Sequence, residues 1–243
     1  MKLSIVIPAY EESKKIADDI RAAAEFLRKN AFAGEIIVVD DASKDGTAQA
    51  AGNINPTELK GAELKVIRYE AHRGKGYAVR TGITQTTGDY VMFADSGCCV
   101  PYDDAIRGLD MIKNGSCDIA HGSRKMKGTN ILKQQGIYRH ICSMLFHWFA
   151  IVVMRMPAKL TDTQCGFKIY RGDVARHLYS ECETGGFMFD IEMILRALRE
   201  GYRIKEFPID WACDRDSRLS PARSLRRILG ELMRIKKTLR NSR

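Results

Sequence analysis

Short apolar runs that stop at acidic residues constrain this chain more than any other feature of its sequence. Residues 3–7, 35–39 and 90–94 are almost wholly apolar, and they run into Tyr10-Glu11-Glu12, Asp40-Asp41 and Asp95. Runs this short read as buried strands. The segment 13–30 carries Ile16, Ile20, Ala24 and Leu27 on one face, which is helical spacing. Further along, the pattern predicts a short helix opened by Asp45-Gly46-Thr47, a strand over 64–69 and a helix over 76–86. A helix over 101–113, with Pro101 at its start, and a strand over 118–121 follow. Such alternation predicts an α/β fold, a mostly parallel Rossmann-like central sheet flanked by helices. Ligands of these sheets bind beyond the carboxyl ends of the strands. A lone strand-end Asp is usually a turn residue or a helix cap. Acids at three strand ends on one rim predict a site.

The second half is less regular. It reads as an apolar helix over 138–156, a strand over 165–170, a helix over 187–200 and a last strand over 203–211. The 243 residues are 45% hydrophobic, ordinary for a globular chain, which excludes wholesale disorder. Seven scattered cysteines with no CxxC pair argue against a disulfide framework and a structural zinc site, and for a reducing compartment. The first residues read as a strand rather than a signal peptide. No run reaches the roughly 18–20 apolar residues of a membrane span. The nearest, Met144 to Met154, is interrupted by His147.

The net charge of +9 is concentrated at one end: 215–243 holds ten Arg or Lys against Asp216 and Glu231. Leu225, Ile228, Leu229, Leu232, Ile235 and Leu239 recur there at helical spacing, so a basic amphipathic C-terminal helix is expected. Its apolar face can pack on the domain. Its basic face suits an anionic membrane surface. No RNA-binding aromatic signature or zinc finger supports nucleic acid as a partner.

Several strings carry a family resemblance. They are Ile-Pro-Ala-Tyr-Glu-Glu (7–12), Val-Val-Asp-Asp-Ala-Ser-Lys-Asp-Gly-Thr (38–47) and Arg-Gly-Lys-Gly-Tyr-Ala-Val-Arg-Thr-Gly (73–82). Phe-Ala-Asp-Ser-Gly (93–97), Gly-Ser-Arg (122–124), Asp-Thr-Gln-Cys-Gly-Phe-Lys (162–168) and Phe-Asp-Ile-Glu (189–192) follow. Together they resemble the family 2 glycosyltransferases of the GT-A fold, and within them the branch that glycosylates dolichyl and polyprenyl phosphates, glucosyl before mannosyl. The resemblance implies one GT-A domain over 1–214, with a nucleotide-sugar-binding half (1–122) and an acceptor-binding half (123–214). The basic segment 215–243 follows it.

By this resemblance Pro8, Ala9, Tyr10 and Glu12 line the nucleotide pocket, and Asp41 or Asp40 accepts a hydrogen bond from the base or ribose. Lys75, between Gly74 and Gly76 ahead of a helix, suits an anionic group, because glycines let the backbone approach and a helix start favours negative charge. The family's D-x-D motif holds Mg²⁺ or Mn²⁺ on the donor diphosphate. Here it reads Asp95-Ser96-Gly97, leaving Asp95 as the one metal-ligand candidate in it. The ion is therefore expected to be weakly bound, or replaced by Lys and Arg. Asp103 and Asp104 offer carboxylates nearby but read more simply as first-turn helix residues.

On the acceptor side, a phosphate monoester is already largely dianionic at neutral pH, with a second pKa of about 6, so it needs neutralising and positioning rather than a strong base. The resemblance assigns this to Arg124, Arg139 and Ser143, with Gln164 and with Arg215 or Arg218. Arg139 and Ser143, four apart, share a helix face. Asp190 is expected to contact sugar hydroxyls or to order an Arg, whereas Glu192 reads as a helix-face partner of Arg196. The apolar helix after Arg139 can be covered by an isoprenoid tail or the bilayer, by the protein itself, or by a second copy in a homodimer. The expected activity is inverting transfer of a hexose from a nucleoside-diphosphate sugar, UDP-glucose first, to a polyprenyl or dolichyl phosphate by a peripheral protein at the cytosolic membrane face. GDP-mannose as donor, a soluble saccharide as acceptor, and a nucleotide-sugar-binding protein of low activity are the alternatives.

Overall fold

A computed structural model of the chain describes residues 1–133, 151–212 and 221–241. The first half alternates strand and helix: β1 (Lys2–Ala9), α1 (Ile16–Lys29), β2 (Ala33–Asp40), α2 (Thr47–Gly52), β3 (Glu63–Arg68), α3 (Lys75–Ile83), β4 (Tyr90–Ala94), α4 (Ala105–Lys113) and β5 (Ile119–Ser123). The second half holds β6 (Asn130–Lys133), β7 (Phe167–Arg171), α5 (Gly172–Ser180), α6 (Phe189–Arg199), β8 (Ile204–Pro208), β9 (Asp210–Ala212) and α7 (Pro221–Asn241). Among the described residues, one sheet runs in the order β3-β2-β1-β4-β7-β5-β8, and β6 pairs with β9. β1 is parallel to both β2 and β4, while β7 runs antiparallel between β4 and β5.

The strands bury both faces by strict alternation, as a helix-covered sheet requires. Leu3, Ile5, Ile7, Ile36, Val38 and Met92 belong to the core under α1 and α4. Val6, Ile37, Val39, Val91 and Phe93 belong to the core under α3, α5, α6 and α7. The chain leaves β1 outward through β2 and β3, then returns to β4 on the other side of β1. The strand order therefore reverses between β1 and β4, and the crevice beyond their carboxyl ends is where such a sheet binds its ligand.

Four expectations shift. The helix expected from Ser13 starts at Ile16, because the Ser13 N–H donates to Asp45 instead (3.0 Å). The helix expected from Phe187 starts at Phe189, where the Met188 N–H is taken by Glu231. The helix expected from Pro101 opens as a 3₁₀ turn, Tyr102–Asp104. The single last strand is two: Pro208 ends β8, and β9 leaves the main sheet for β6 after the Asp210 N–H turns to Asp104. Asp103 pairs with Lys29 and Asp104 with Arg107, so both serve the fold. The helix expected over 138–156 lies mostly outside the described residues, of which 151–154 are helical.

Candidate active site

The crevice beyond β1 is built by stitching two loops together. The Glu11 N–H donates to Ser43 Oγ (2.7 Å), the Glu12 N–H to Thr47 Oγ1 (2.8 Å) and the Ser13 N–H to Asp45. Asp45 also takes the Thr47 N–H and hydroxyl. Its partial desolvation works against ionisation, but the hydrogen bonds from Thr47 and Ser13 win and hold its pKa at about 2 rather than 3.8. A carboxylate depressed on folding stabilises above its unfolded pKa, and that contribution is lost as pH falls through the folded one. Asp45→Asn is therefore expected to lower the urea midpoint at pH 5–7, and the difference from wild type should close as pH approaches 2. A difference that stays constant down to that pH contradicts this account.

At the end of β2, Asp40, its last residue, and Asp41, the next, are both buried. Asp41 is 2% exposed and accepts the Arg73 N–H (2.7 Å) and the Gly74 N–H (2.8 Å), with His72 Nδ1 at 2.9 Å. Asp40 accepts the Ser43 N–H and lies 3.3 Å from Arg68. In this state Asp41 fastens the Arg73-Gly74-Lys75 turn to the end of β2 rather than presenting a bare carboxylate to a base. The turn needs its glycine: Gly74 has φ +97°, and a Cβ there would sit 2.6 Å from the Gly185 carbonyl. Tyr10 lies beside His72 with ring centroids 4.4 Å apart, an aromatic pair at the mouth. Pro8 and Ala9 are buried at the end of β1, and Tyr10 and Glu12 are half-buried.

Three ion pairs converge beyond β4 and β5, around the start of the antiparallel β7. Lys75, first residue of α3, places its Nζ 2.6 Å from Asp95 Oδ1 and 2.8 Å from Oδ2. Lys168 on β7, 1% exposed, donates to Asp190 Oδ1 at the start of α6 (2.6 Å) and to the Cys165 carbonyl (2.7 Å). Arg124, just past β5, grips Asp162 through Nε (2.6 Å) and Nη2 (2.8 Å). Asp162 is in turn fixed by its own N–H to Glu206 (2.7 Å). Burial raises the Asp190 carboxyl above its ordinary range despite Lys168 and Lys75. Burial also pushes Asp162 upward, but Arg124 more than offsets it and leaves that carboxylate low. Gln164 Nε2 is buried with no hydrogen-bond partner among the described residues, a donor awaiting an acceptor.

The residues around Asp95 do not suit a two-carboxylate metal site. Gly97 offers no side chain, and its N–H, with that of Cys98, is spent on Asp19 of α1 (2.9 and 2.8 Å). Lys75 neutralises Asp95, donating to Oδ2 and lying 2.6 Å from Oδ1, which has no hydrogen-bond partner among the described residues. A Cβ at Gly166 would lie 2.1 Å from Asp95 Cγ, so backbone closes the other flank. Among the described residues no group of three His, Cys, Asp or Glu could hold a metal ion.

The structure brings Asp95, Lys75, Arg124, Asp162 and Asp190 together at one end of the sheet. Asp190, expected to contact sugar hydroxyls or to order an Arg, holds a lysine, Lys168. Glu192 pairs with Arg196 as anticipated and also caps the N–H groups of Glu183 and Thr184. Arg139, Ser143, Arg215 and Arg218 lie outside the described residues. Lys168, Asp19 and His72 were not singled out in the sequence. Lys168 carried a signal: a lysine inside the apolar run Phe-Lys-Ile-Tyr of a strand buried on both faces must have a buried partner.

This fold, with its acidic strand ends and paired cations at the switch point, is that of the GT-A glycosyltransferases. The chain belongs to glycosyl transferase family 2, whose sequence model matches residues 4–179. It is 32% identical over 223 residues to the dolichyl-phosphate beta-glucosyltransferase of Saccharomyces cerevisiae, covering 86% of this chain and 66% of the yeast protein. The human protein of the same name is 30% identical, with 90% of this chain and 70% of that protein covered. The chain thus spans about two thirds of the length of these relatives. In three dimensions it matches the Mycobacterium tuberculosis glucosyl-3-phosphoglycerate synthase in complex with Mn²⁺, UDP-glucose and phosphoglyceric acid. The TM-score is 0.70 at 17% identity, over 96% of this chain and 79% of that one.

Proposed function

We propose that this chain transfers glucose from UDP-glucose to a dolichyl or polyprenyl phosphate, with inversion at the anomeric carbon, at the cytosolic face of a membrane. The observation that carries this is the Arg124–Asp162 clamp beside the Asp95–Lys75 and Asp190–Lys168 pairs. The cleft offers fixed cations, and among the described residues its carboxylates Asp95, Asp162 and Asp190 are each paired with one, which suits a dianionic phosphate nucleophile that needs neutralising rather than a strong base. A phosphate oxygen forms a bond to the anomeric carbon as the carbon–oxygen bond to UDP breaks, and the electron pair leaves with UDP. Arg124 neutralises and orients the acceptor. Lys75, at the N-terminus of α3, meets the charge that develops on the leaving diphosphate. Gln164, whose amide donor has no hydrogen-bond partner among the described residues, is assigned to a sugar hydroxyl, and Asp190 acts by holding Lys168. The names of the curated relatives support this acceptor and sugar.

Membrane attachment is assigned to α7. Leu232, Ile235 and Leu239 are buried against the domain, while Met233 is 59% exposed. Met233, Lys236, Lys237 and Arg240 line one outward hollow. No helix among the described residues is long and apolar enough to cross a membrane. An apolar side chain set among cations on one face suits the headgroup layer of an anionic leaflet.

A transfer assay tests the whole reading. Purified protein is incubated with a short polyprenyl phosphate and either UDP-glucose or GDP-mannose, with and without chelator, and the lipid product is weighed by mass spectrometry. Glucosyl-phospholipid from UDP-glucose alone is expected. A product from GDP-mannose alone replaces the sugar, transfer to a free saccharide replaces the acceptor, and donor binding without transfer leaves a binding protein. Flotation with vesicles containing phosphatidylserine should recover the protein. Lys236→Glu with Lys237→Glu should abolish recovery, and equal recovery by the variant contradicts the membrane face.

A further inference from the structure

The D-x-D motif of this chain lacks its second carboxylate, and the first is not bare. Lys75 Nζ donates to Asp95 Oδ2 (2.8 Å) and lies 2.6 Å from Oδ1, a charge contact without hydrogen-bond geometry that leaves this buried oxygen no hydrogen-bond partner among the described residues. The pair is only partly exposed, Lys75 at 21% and Asp95 at 38% of their side-chain surfaces. Lys75 cannot swing aside at no cost. Its backbone is set by Gly74, fastened to Asp41 and packed on the Gly185 carbonyl. Asp95 is held from the other side by its N–H to the Gly166 carbonyl (2.8 Å). The Gly97 and Cys98 N–H groups, bound to Asp19, keep the following turn from reorganising toward an ion.

We infer that Lys75 is the resident counter-ion of Asp95 and keeps divalent cations out of the site when no donor is bound. An ammonium and a divalent cation repel each other and compete for the charge of one carboxylate, so each weakens the other's hold on Asp95. A D-x-D motif with both of its acids offers two carboxylates. This one offers a single carboxylate already neutralised. The same lysine then supplies positive charge where a donor diphosphate would lie, and in this the inference rests on the donor-site reading above.

The test needs neither donor nor acceptor, so it stands apart from the transfer assay. Mn²⁺ is titrated into the full chain and the free hexaaqua ion is followed by EPR. Wild type is expected to bind weakly and to be indistinguishable from Asp95→Asn. Lys75→Gln is expected to bind Mn²⁺ at least about tenfold more tightly, the gain being that of removing a competing charge from a partly buried site. Adding Asp95→Asn to that variant should abolish the gain. Lys75→Gln with wild-type affinity overturns the inference. Wild type binding more tightly than about 50 μM and losing that in Asp95→Asn also overturns it, and requires no folded lysine variant.

Discussion

Lys168→Met is expected to destabilise the protein by about 3–5 kcal/mol, the cost of leaving a buried charge without its partner. For a chain of this size that lowers the melting temperature by about 10 °C or more. Lys168 is 1% and Asp190 2% exposed, so water cannot replace the lost ammonium. The lysine also satisfies the Cys165 carbonyl and contacts that of Thr163, both of which lose a donor. The pH dependence gives the mechanism away. Burial already raises the Asp190 carboxyl, and Lys168 is the first charge that opposes it. Without Lys168 the folded pKa rises further above the unfolded one. A raised carboxyl pKa means the native state binds the proton more readily, so the deficit is largest at high pH and shrinks as pH falls through the folded value. Calorimetry at pH 5 and pH 8 should show the smaller deficit at pH 5. Adding Asp190→Asn should recover part of the loss at pH 8, and not all, because the two carbonyls stay short of a donor. A deficit that does not change with pH means lost packing alone.

That pair marks the boundary between what the sequence reveals and what only the fold can. The strand ends were legible because burial on both faces leaves an unmistakable apolar run, and an acid after it has nowhere to lie but the rim. Thus Asp40 closes β2, and Asp41 and Asp95 directly follow β2 and β4, at the strand ends where the pattern puts them. Their partners were not legible, since a carboxylate's role depends on which donors reach it. Asp41 reads alone as a ligand for a base, and the fold spends it on Arg73 and Gly74. The direction of β7 was hidden for the same reason: alternation shows that a strand is buried, not which way it runs between β4 and β5. Asp19 sits among the helical residues of α1 with no local mark of its contact with Gly97, 78 positions later. Where local pattern and long-range partner coincide, as for Glu192 and Arg196 one helical turn apart, the sequence reading holds.

Arg124→Lys should lower kcat/KM for the phosphate acceptor by about 100-fold, with the KM for UDP-glucose changed less than about twofold. Arg124 and Asp162 meet through two parallel N–H···O contacts, and this fork sets the plane of the guanidinium. Once both oxygens of Asp162 are engaged, the remaining Arg124 N–H groups are the ones left for a ligand. A lysine reaching the same place has one nitrogen. It can pair with Asp162 or with an incoming phosphate, and with Asp162 only 3% exposed the carboxylate wins. The variant keeps its backbone N–H to Asp162 (3.0 Å), so the fold is expected to survive and the loss to appear in catalysis. Because the nucleophile carries its charge before the reaction begins, the arginine contributes to ground-state binding, and KM for the acceptor should carry most of the effect. Steady-state kinetics with each substrate varied separately distinguish the outcomes. A rise in the UDP-glucose KM instead would move Arg124 to the donor diphosphate, and unchanged kinetics would make the clamp a purely structural brace between β5 and the turn that precedes β7.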